Sequence, residues 1–221
     1  MAQNGNENLK STLQHPVKIA VTGNAGSGKS VVCKYFAEME VSVISADVLA
    51  REVVKPGTGS YSRIVEHFGI EILSDDKTLN RPKLRDLISK DSSARKALES
   101  FTHPEIIRRM HFYAGEAGDA GEAIVVFEIP LLFESGLESH FDYIILVTAD
   151  TDIKVERLVA RDHVSAKAAE ELIGIQLTDE KKMAFSDFII KNNSDLKYVS
   201  ESVNDILARV LQKKDKPSKK A

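Results

Sequence analysis

Eight consecutive residues, Gly23-Asn24-Ala25-Gly26-Ser27-Gly28-Lys29-Ser30, combine three glycines with a lysine and a hydroxyl in the pattern G-x-x-x-x-G-K-[ST]. Each residue type suits the binding of a polyphosphate. Glycines let the chain turn so that backbone N–H groups converge on phosphate oxygens. Lys29 is a compact point charge that can reach the β- and γ-phosphates, and an arginine would not replace it. The Ser30 hydroxyl can bind Mg²⁺, and Val31 continues a segment whose first N–H groups have no intrahelical partner. The pattern alone arises by chance in about one chain in a hundred of this length, so its context decides. Val17-Lys18-Ile19-Ala20-Val21-Thr22 before it reads as a buried strand, and Ser30 to Ala37 after it reads as a helix. Strand, glycine-rich turn and helix is the order that phosphate binding needs.

Several charged residues could complete such a site. Asp47 closes Val41-Ser42-Val43-Ile44-Ser45-Ala46-Asp47, whose apolar residues make a short strand. Ligands of open α/β sheets bind beyond the carboxyl ends of strands, so Asp47 lies near the phosphates if this strand neighbours the first. Asp47 equally suits the N-cap of a helix through Val48-Leu49-Ala50-Arg51, and the two roles are compatible. Glu128 ends the apolar run from Ala123 and is placed to assist Mg²⁺ through water. Glu134 fits either a helix start or the orientation of a substrate. Arg157 and Arg161 are four apart on a helix expected over Thr151–Asp162, so they share a face. Two guanidinium groups there suit phosphate recognition, and they equally suit a solvated face paired with Glu156 and Asp162.

The elements that must position these groups follow from the apolar pattern. Continuous apolar strands at Ala123–Glu128 and Asp142–Val147, with a short one at Phe188–Ile190, argue for a parallel α/β sheet covered on both faces. Between Tyr61 and His111 the alternation is interrupted by helical patterns. Ile64, Val65 and Phe68 share a face that Gly69 ends, and a turn covers Asp75–Thr78. A helix starts at Asn80-Arg81-Pro82 with Leu84, Leu87 and Ile88 on its apolar side, and two short helices cover Ala94–Phe101 and Pro104–Tyr113. This block either shapes a substrate site or adds packing to the sheet. Gly115–Gly121 reads as a loop. Ser165 caps a helix running to Gln176, and a last helix runs from about Leu196 to Gln212.

Composition bounds the rest. The chain has 221 residues, 43% hydrophobic and 29% charged, ordinary for a soluble protein with one sizeable core. A net charge of −3 leaves no overall basic field for nucleic acid. Cys33 is the single cysteine, reads as a packed thiol, and fits a reducing, cytoplasmic compartment. No apolar run approaches membrane-spanning length. Residues 1–15 are polar and read as a disordered extension; residues 213–221 read as a basic, solvated tail.

Taken in order, these residues resemble the dephospho-CoA kinase family from Val17 to about Leu211. The glycine-rich loop is shared with many P-loop proteins. More specific together are Ala46-Asp47 followed by Ala50-Arg51-Glu52-Val53-Val54 and Pro56-Gly57, then Phe68-Gly69 and Leu79-Asn80-Arg81 with Leu84. After them come His103-Pro104-Glu105-Ile106, Ile129-Pro130-Leu131-Leu132-Phe133-Glu134, Arg157 with Arg161-Asp162, Gln176, and Asn192-Asn193. The chain departs from the family's usual pattern at Ser45, where the first acid of Asp-Ala-Asp is expected. It departs again at Asn24-Ala25 in the loop, and at Glu40, where a glycine usually precedes the second strand. Asparagine tolerates a left-handed backbone, so Asn24 is expected to keep the loop intact.

The resemblance implies a three-layer P-loop NTPase/kinase fold with a parallel sheet, a helical substrate-binding insertion and a lid. In this chain it implies a kinase domain over 16–212, an acceptor region over about 60–122 and a lid over about 155–185. It implies Mg²⁺-dependent transfer of phosphate from ATP to the ribose 3′-hydroxyl of dephospho-CoA. Residues Gly23 to Val31 would hold the ATP phosphates, with Lys29 also catalytic and Ser30 on the metal. Asp47 would be the base or orienting carboxylate and would touch the acceptor. Arg51, His103, Leu131, Leu132 and Glu134 would line the acceptor side. Arg161 would be the lid arginine on the phosphates, Arg157 its lesser companion, and Asn192 an adenine contact. Partners are then small molecules, with neither nucleic acid nor membrane, and the assembly a monomer or weak homo-oligomer. Another small-molecule kinase of this architecture, or a nucleotide-binding protein weakened in catalysis, are the alternatives.

Overall fold

The computed structural model describes residues 15–193 and 195–214. The expected N-terminal extension and basic tail lie outside the described residues, apart from His15, Lys213 and Lys214. In chain order the elements are β1 (Val17–Thr22), α1 (Lys29–Glu38), β2 (Ser42–Ser45), α2 (Ala46–Glu52), α3 (Gly59–Phe68), α4 (Arg81–Lys90), α5 (Ser92–Asp119), β3 (Ile124–Glu128), β4 (Tyr143–Thr148), α6 (Thr151–Asp162), α7 (Ala166–Gly174), α8 (Asp179–Met183), β5 (Phe188–Lys191) and α9 (Leu196–Lys214). They form two compact units, one running to Ile44 and resuming at Ala114, the other spanning Ser45–Tyr113.

The first unit is built on a five-stranded sheet of order β2-β3-β1-β4-β5. β1 pairs in parallel with β3 and β4, and β4 with β5. The expected continuous apolar strands are present, and Ile19, Val21, Val126, Ile145 and Val147 have no exposed surface. β1 is flanked by β3, not by β2, so the condition that placed Asp47 next to the loop's strand is not met. The connection through residues 45–113 separates β2 from β3 in sequence, and a crossover of that length leaves the neighbour of β1 undetermined by pattern alone. From α1, Val32, Cys33 and Phe36 pack onto the sheet, and from α9 Val199, Val203, Ile206 and Val210 join the same core. Full burial of a side chain such as Phe36 is worth about 1.5–3 kcal/mol.

The second unit packs Ile64, Ile72, Leu79 and Leu84 together, with Val65, Phe68, Leu87 and Ile88 against them, as the helical pattern requires. Asn80 caps α4 through a bond from the Lys83 amide, and Pro82 lies in its first turn. The two short helices and the loop expected over 94–121 are instead one helix, α5, with Pro104 inside it. A proline removes one backbone donor and crowds the preceding turn. The Ser60 hydroxyl bonds the Phe101 carbonyl at 2.7 Å, supplying a donor to the turn that Pro104 disturbs. The run to Asp119 continues because Gly115 and Gly118 sit in a helix whose buried face is Met110, Ala114 and Ala117.

Glu40 explains its own departure from glycine. It has φ of 61°, in the left-handed region. Its amide bonds the Ala37 carbonyl at 3.0 Å, and the Val41 amide bonds Phe36 at 3.2 Å. This is the paired C-terminal motif that glycine ordinarily completes. A left-handed non-glycine residue costs about 1–2 kcal/mol, against about 0.5–1 kcal/mol for the extra unfolded-state freedom of glycine. Glu40→Gly should therefore raise stability by about 0.5–1 kcal/mol, read as a higher urea midpoint at unchanged slope; a lower midpoint would contradict the strain.

Candidate active site

The loop between β1 and α1 is gripped by its carbonyls. Lys29 Nζ donates to the Gly23 carbonyl at 2.9 Å and the Asn24 carbonyl at 3.2 Å. Asn192 Nδ2 donates to the Ser27 carbonyl at 3.0 Å. Arg157 lies 3.3 Å from the Gly26 and Ser27 carbonyls, and its other nitrogen lies 3.3 Å from Asn192 Oδ1. In a trans peptide the C=O and the following N–H point in opposite directions, so fixing a carbonyl fixes where the next amide points. Donors on one side of the loop thus turn amides such as that of Gly28 to the other side. Gly28 itself is left-handed, with φ of 88°, and opens α1.

Close backbone approach explains a glycine here. A Cβ on Gly26 would stand 2.5 Å from the Lys154 carbonyl oxygen in α6, so no side chain fits. Asn24 does not use the left-handed tolerance expected of it: its φ is not positive. Its side chain is instead structural. Asn24 is 2% exposed and its Oδ1 accepts from Lys182 Nζ at 2.7 Å. The Ala25 amide donates to Gln176 Oε1 at 2.8 Å.

Lys182, on α8, also pairs with Glu134 Oε1 at 2.9 Å, and Glu134 accepts the Leu177 amide at 3.1 Å. Glu134 follows β3 in a run of turns rather than at a helix start. Burial pushes its carboxyl up, but the bonds from Lys182, its own amide and Leu177 together hold it below the usual range. A second buried lysine, Lys154 at 4% exposure, pairs with Asp179 at 2.9 Å. Neither lysine nor the Gln176 bond was legible as such. No spacing within Asp179-Glu180-Lys181-Lys182 tells which lysine turns inward.

The remaining candidates are placed as follows. Arg161 is exposed and bonds its neighbour Asp162 at 2.8 and 2.9 Å, which holds the arginine above and the aspartate below their usual ranges. Of the two arginines, Arg157 is the one on the loop. Asn192 is buried against the loop carbonyl. Leu131 is half exposed, whereas Leu132 is fully buried. Ser30 is exposed and Val31 is partly buried beside it. In the second unit, Asp47 is exposed in the first turn of α2, where Ser45 and not Asp47 holds the cap position. Arg51 is exposed in the last turn of the same helix, around a pocket of about 260 Å³ that Lys55 and Arg81 also line. His103 is partly buried on α5.

The donor set suits Mg²⁺. Ser30 offers a hydroxyl on the first turn of α1, and Glu128 ends β3 opposite Val21 of the loop's own strand. Among the described residues no group of three or more His, Cys, Asp and Glu is placed to hold a metal, and Mg²⁺ carried largely by water and phosphate oxygens needs none. Cys33 is buried, and its thiol is pushed far up by burial and then by the Glu128 charge, so it is an inert packing group. A cleft of about 500 Å³ beside the loop is lined by Asn24, Thr148, Lys154, Gln176, Asp179 and Lys191, at the carboxyl ends of β4 and β5.

The family model for dephospho-CoA kinase matches residues 17–198. The chain is 38% identical over 196 residues to a dephospho-CoA kinase of Listeria monocytogenes, which covers 89% of this chain and 98% of the relative. Among solved structures, a Thermus thermophilus protein superposes with a TM-score of 0.77 at 29% identity, covering 89% of this chain and 99% of that one. A dephospho-CoA kinase from Campylobacter jejuni gives 0.66 at 25% identity, covering 89% and 98%. With the loop, its lysine and the parallel sheet in place, the chain belongs to the dephospho-CoA kinase family.

Proposed function

We propose that this protein transfers the γ-phosphoryl group of ATP to the ribose 3′-hydroxyl of dephospho-CoA, giving CoA and ADP. The observation that carries the reading is the family match across residues 17–198, over a chain that keeps the gripped glycine loop with Lys29 and Ser30. The alternatives of another acceptor or a weakened catalyst find no support in the relatives.

In this reading the loop amides and Lys29 bind the β- and γ-phosphates. Ser30, with Glu128 through water, would hold Mg²⁺, which would supply charge neutralisation for the phosphates. Asp47 orients the acceptor hydroxyl and takes its proton as the new O–P bond forms and ADP leaves. A carboxylate suits this because the hydroxyl must lose a proton near several negative oxygens. Arg161, on the lid proposed over about 155–185, moves onto the transferring phosphoryl group with Arg157 as its lesser companion, while Arg157 and Asn192 hold the loop and Asn192 meets the adenine. Segment closure keeps water from the phosphoryl group. Arg51, with Lys55 and Arg81 nearby, supplies positive charge for the anionic acceptor, and His103, Leu131 and Glu134 line its site.

The same reading makes the protein a cytoplasmic enzyme of small molecules, as a monomer or weak homo-oligomer. Cys33 as a buried free thiol supports a reducing compartment, and among the described residues no helix is long and apolar enough to cross a membrane.

The test is purified protein with Mg-ATP and dephospho-CoA, with CoA detected by mass; no CoA would refute the assignment. Asp47→Asn should lower turnover at least ~100-fold, the usual range for a general base, with ATP affinity spared; normal turnover would remove that role. Lys29→Ala should abolish most single-turnover transfer, and an unchanged rate would take Lys29 out of the chemistry. Arg161→Ala should reduce kcat without moving the melting temperature, whereas Arg157→Ala should weaken nucleotide binding as well, because Arg157 contacts the loop carbonyls and Arg161 bonds Asp162 instead.

A further inference from the structure

Lys182 is not explained by the proposed chemistry. It lies on α8, is 1% exposed, and puts its ammonium between Asn24 Oδ1 at 2.7 Å and Glu134 Oε1 at 2.9 Å. A buried ammonium is unfavourable unless it is paired and hydrogen-bonded, and a well-packed apolar residue would often serve stability as well. Its geometry therefore calls for a role beyond stability.

Contacts from α6 and from the α7–α8 segment converge on the loop. Lys182 holds the Asn24 side chain, Gln176 holds the Ala25 amide, and the backbone of Lys154 stands against Gly26. Lys154 is in turn tied to α8 through Asp179. Three successive loop residues are thus set by these contacts. Glu134, which receives both Lys182 and the Leu177 amide, belongs to the stretch after β3 that is proposed to meet the acceptor.

We infer that Lys182 is a positioning residue of the phosphate-binding loop: through Asn24 it fixes the loop in its nucleotide-binding shape, and through Glu134 it makes that shape depend on the stretch beside the acceptor. The role of Glu134 on the acceptor rests on the proposed function; the hold on the loop does not. The lysine touches no reacting atom. It transmits displacement: movement of the stretch from Gln176 to Lys182 withdraws the support of Asn24 and Ala25 together. A change on the acceptor side of Glu134 reaches the nucleotide side by the same ammonium, without any contact between the two ligands.

The test separates this from mere stabilisation. Lys182→Met alone would leave the Glu134 carboxylate without its cation, so the informative protein is the double variant Lys182→Met/Glu134→Gln, which removes both charges. Its melting temperature is measured beside its affinity for ADP with Mg²⁺ by titration calorimetry, a readout that requires no acceptor. The expected result is a loss of at least ~10-fold in ADP affinity at a melting temperature close to that of the unaltered protein, with faster amide exchange over residues 24–28. Asn24→Ala, which removes the carboxamide whose oxygen Lys182 holds and leaves the Lys182–Glu134 pair in place, should weaken ADP binding similarly, and adding it to the double variant should cost little more. Native ADP affinity in Asn24→Ala overturns the proposal, even if the double variant does not fold, and so does native affinity in a folded double variant. Absence of CoA formation by the unaltered protein would refute the acceptor reading and leave this measurement standing.

Discussion

The whole arrangement depends on the loop's peptide planes being held by their carbonyls. Free amides bind anions only if they point the same way, and an unsupported glycine-rich turn has the freedom to lose that alignment. Here Lys29, Arg157 and Asn192 take the carbonyls of Gly23, Asn24, Gly26 and Ser27. Each bond restricts a peptide unit, and through it the amide on the opposite edge. Preorganised dipoles of this kind do not have to reorient when charge develops, which is why they contribute more than the same donors in water. The glycine at 26 serves the same end by steric means, since only a residue without Cβ lets the loop lie against the backbone of α6.

That dependence assigns a task to elements that otherwise look peripheral. β5 is short, yet it delivers Asn192 to the loop just past its last residue, Lys191. α6 begins beyond β4 and presents Lys154 and Arg157 one turn apart, the first packed on Gly26 and the second on its carbonyl. The rule that ligands gather at the carboxyl ends of parallel strands is here a consequence of construction: those ends are where strand-following residues can reach one another.

The loop, the flanking strand and helix, and the parallel sheet were legible because each depends on local pattern: glycine spacing, β-branched runs, an apolar helix face. The Ser165 cap was legible for the same reason, and the Ala168 amide indeed donates to its hydroxyl. What failed was set by distant contacts. A proline and two glycines in α5 read as interruptions, whereas tertiary packing on both sides of them sustains one helix. Asn24 read as a residue tolerant of unusual dihedrals because the lysine that employs it lies 158 positions away. Strand order was beyond pattern too, since nothing in β2 states that β3 will come between it and β1.

Two lysines buried near a polyphosphate loop pose an energetic question whose answer bears on function. Ion pairs with Glu134 and Asp179 offset the desolvation of Lys182 and Lys154, but such pairs rarely exceed a packed apolar substitute in net stability. Their advantage lies in direction. An apolar contact tolerates sliding, whereas an ammonium between an amide oxygen and a carboxylate is satisfied at few positions, and displacement leaves charge uncompensated in a low dielectric. The loop therefore sits in a steep well set by charged contacts, not in the broad well that hydrophobic packing alone would give. For phosphoryl transfer, in which positioning and electrostatics supply almost all the acceleration, steepness at this point matters more than depth.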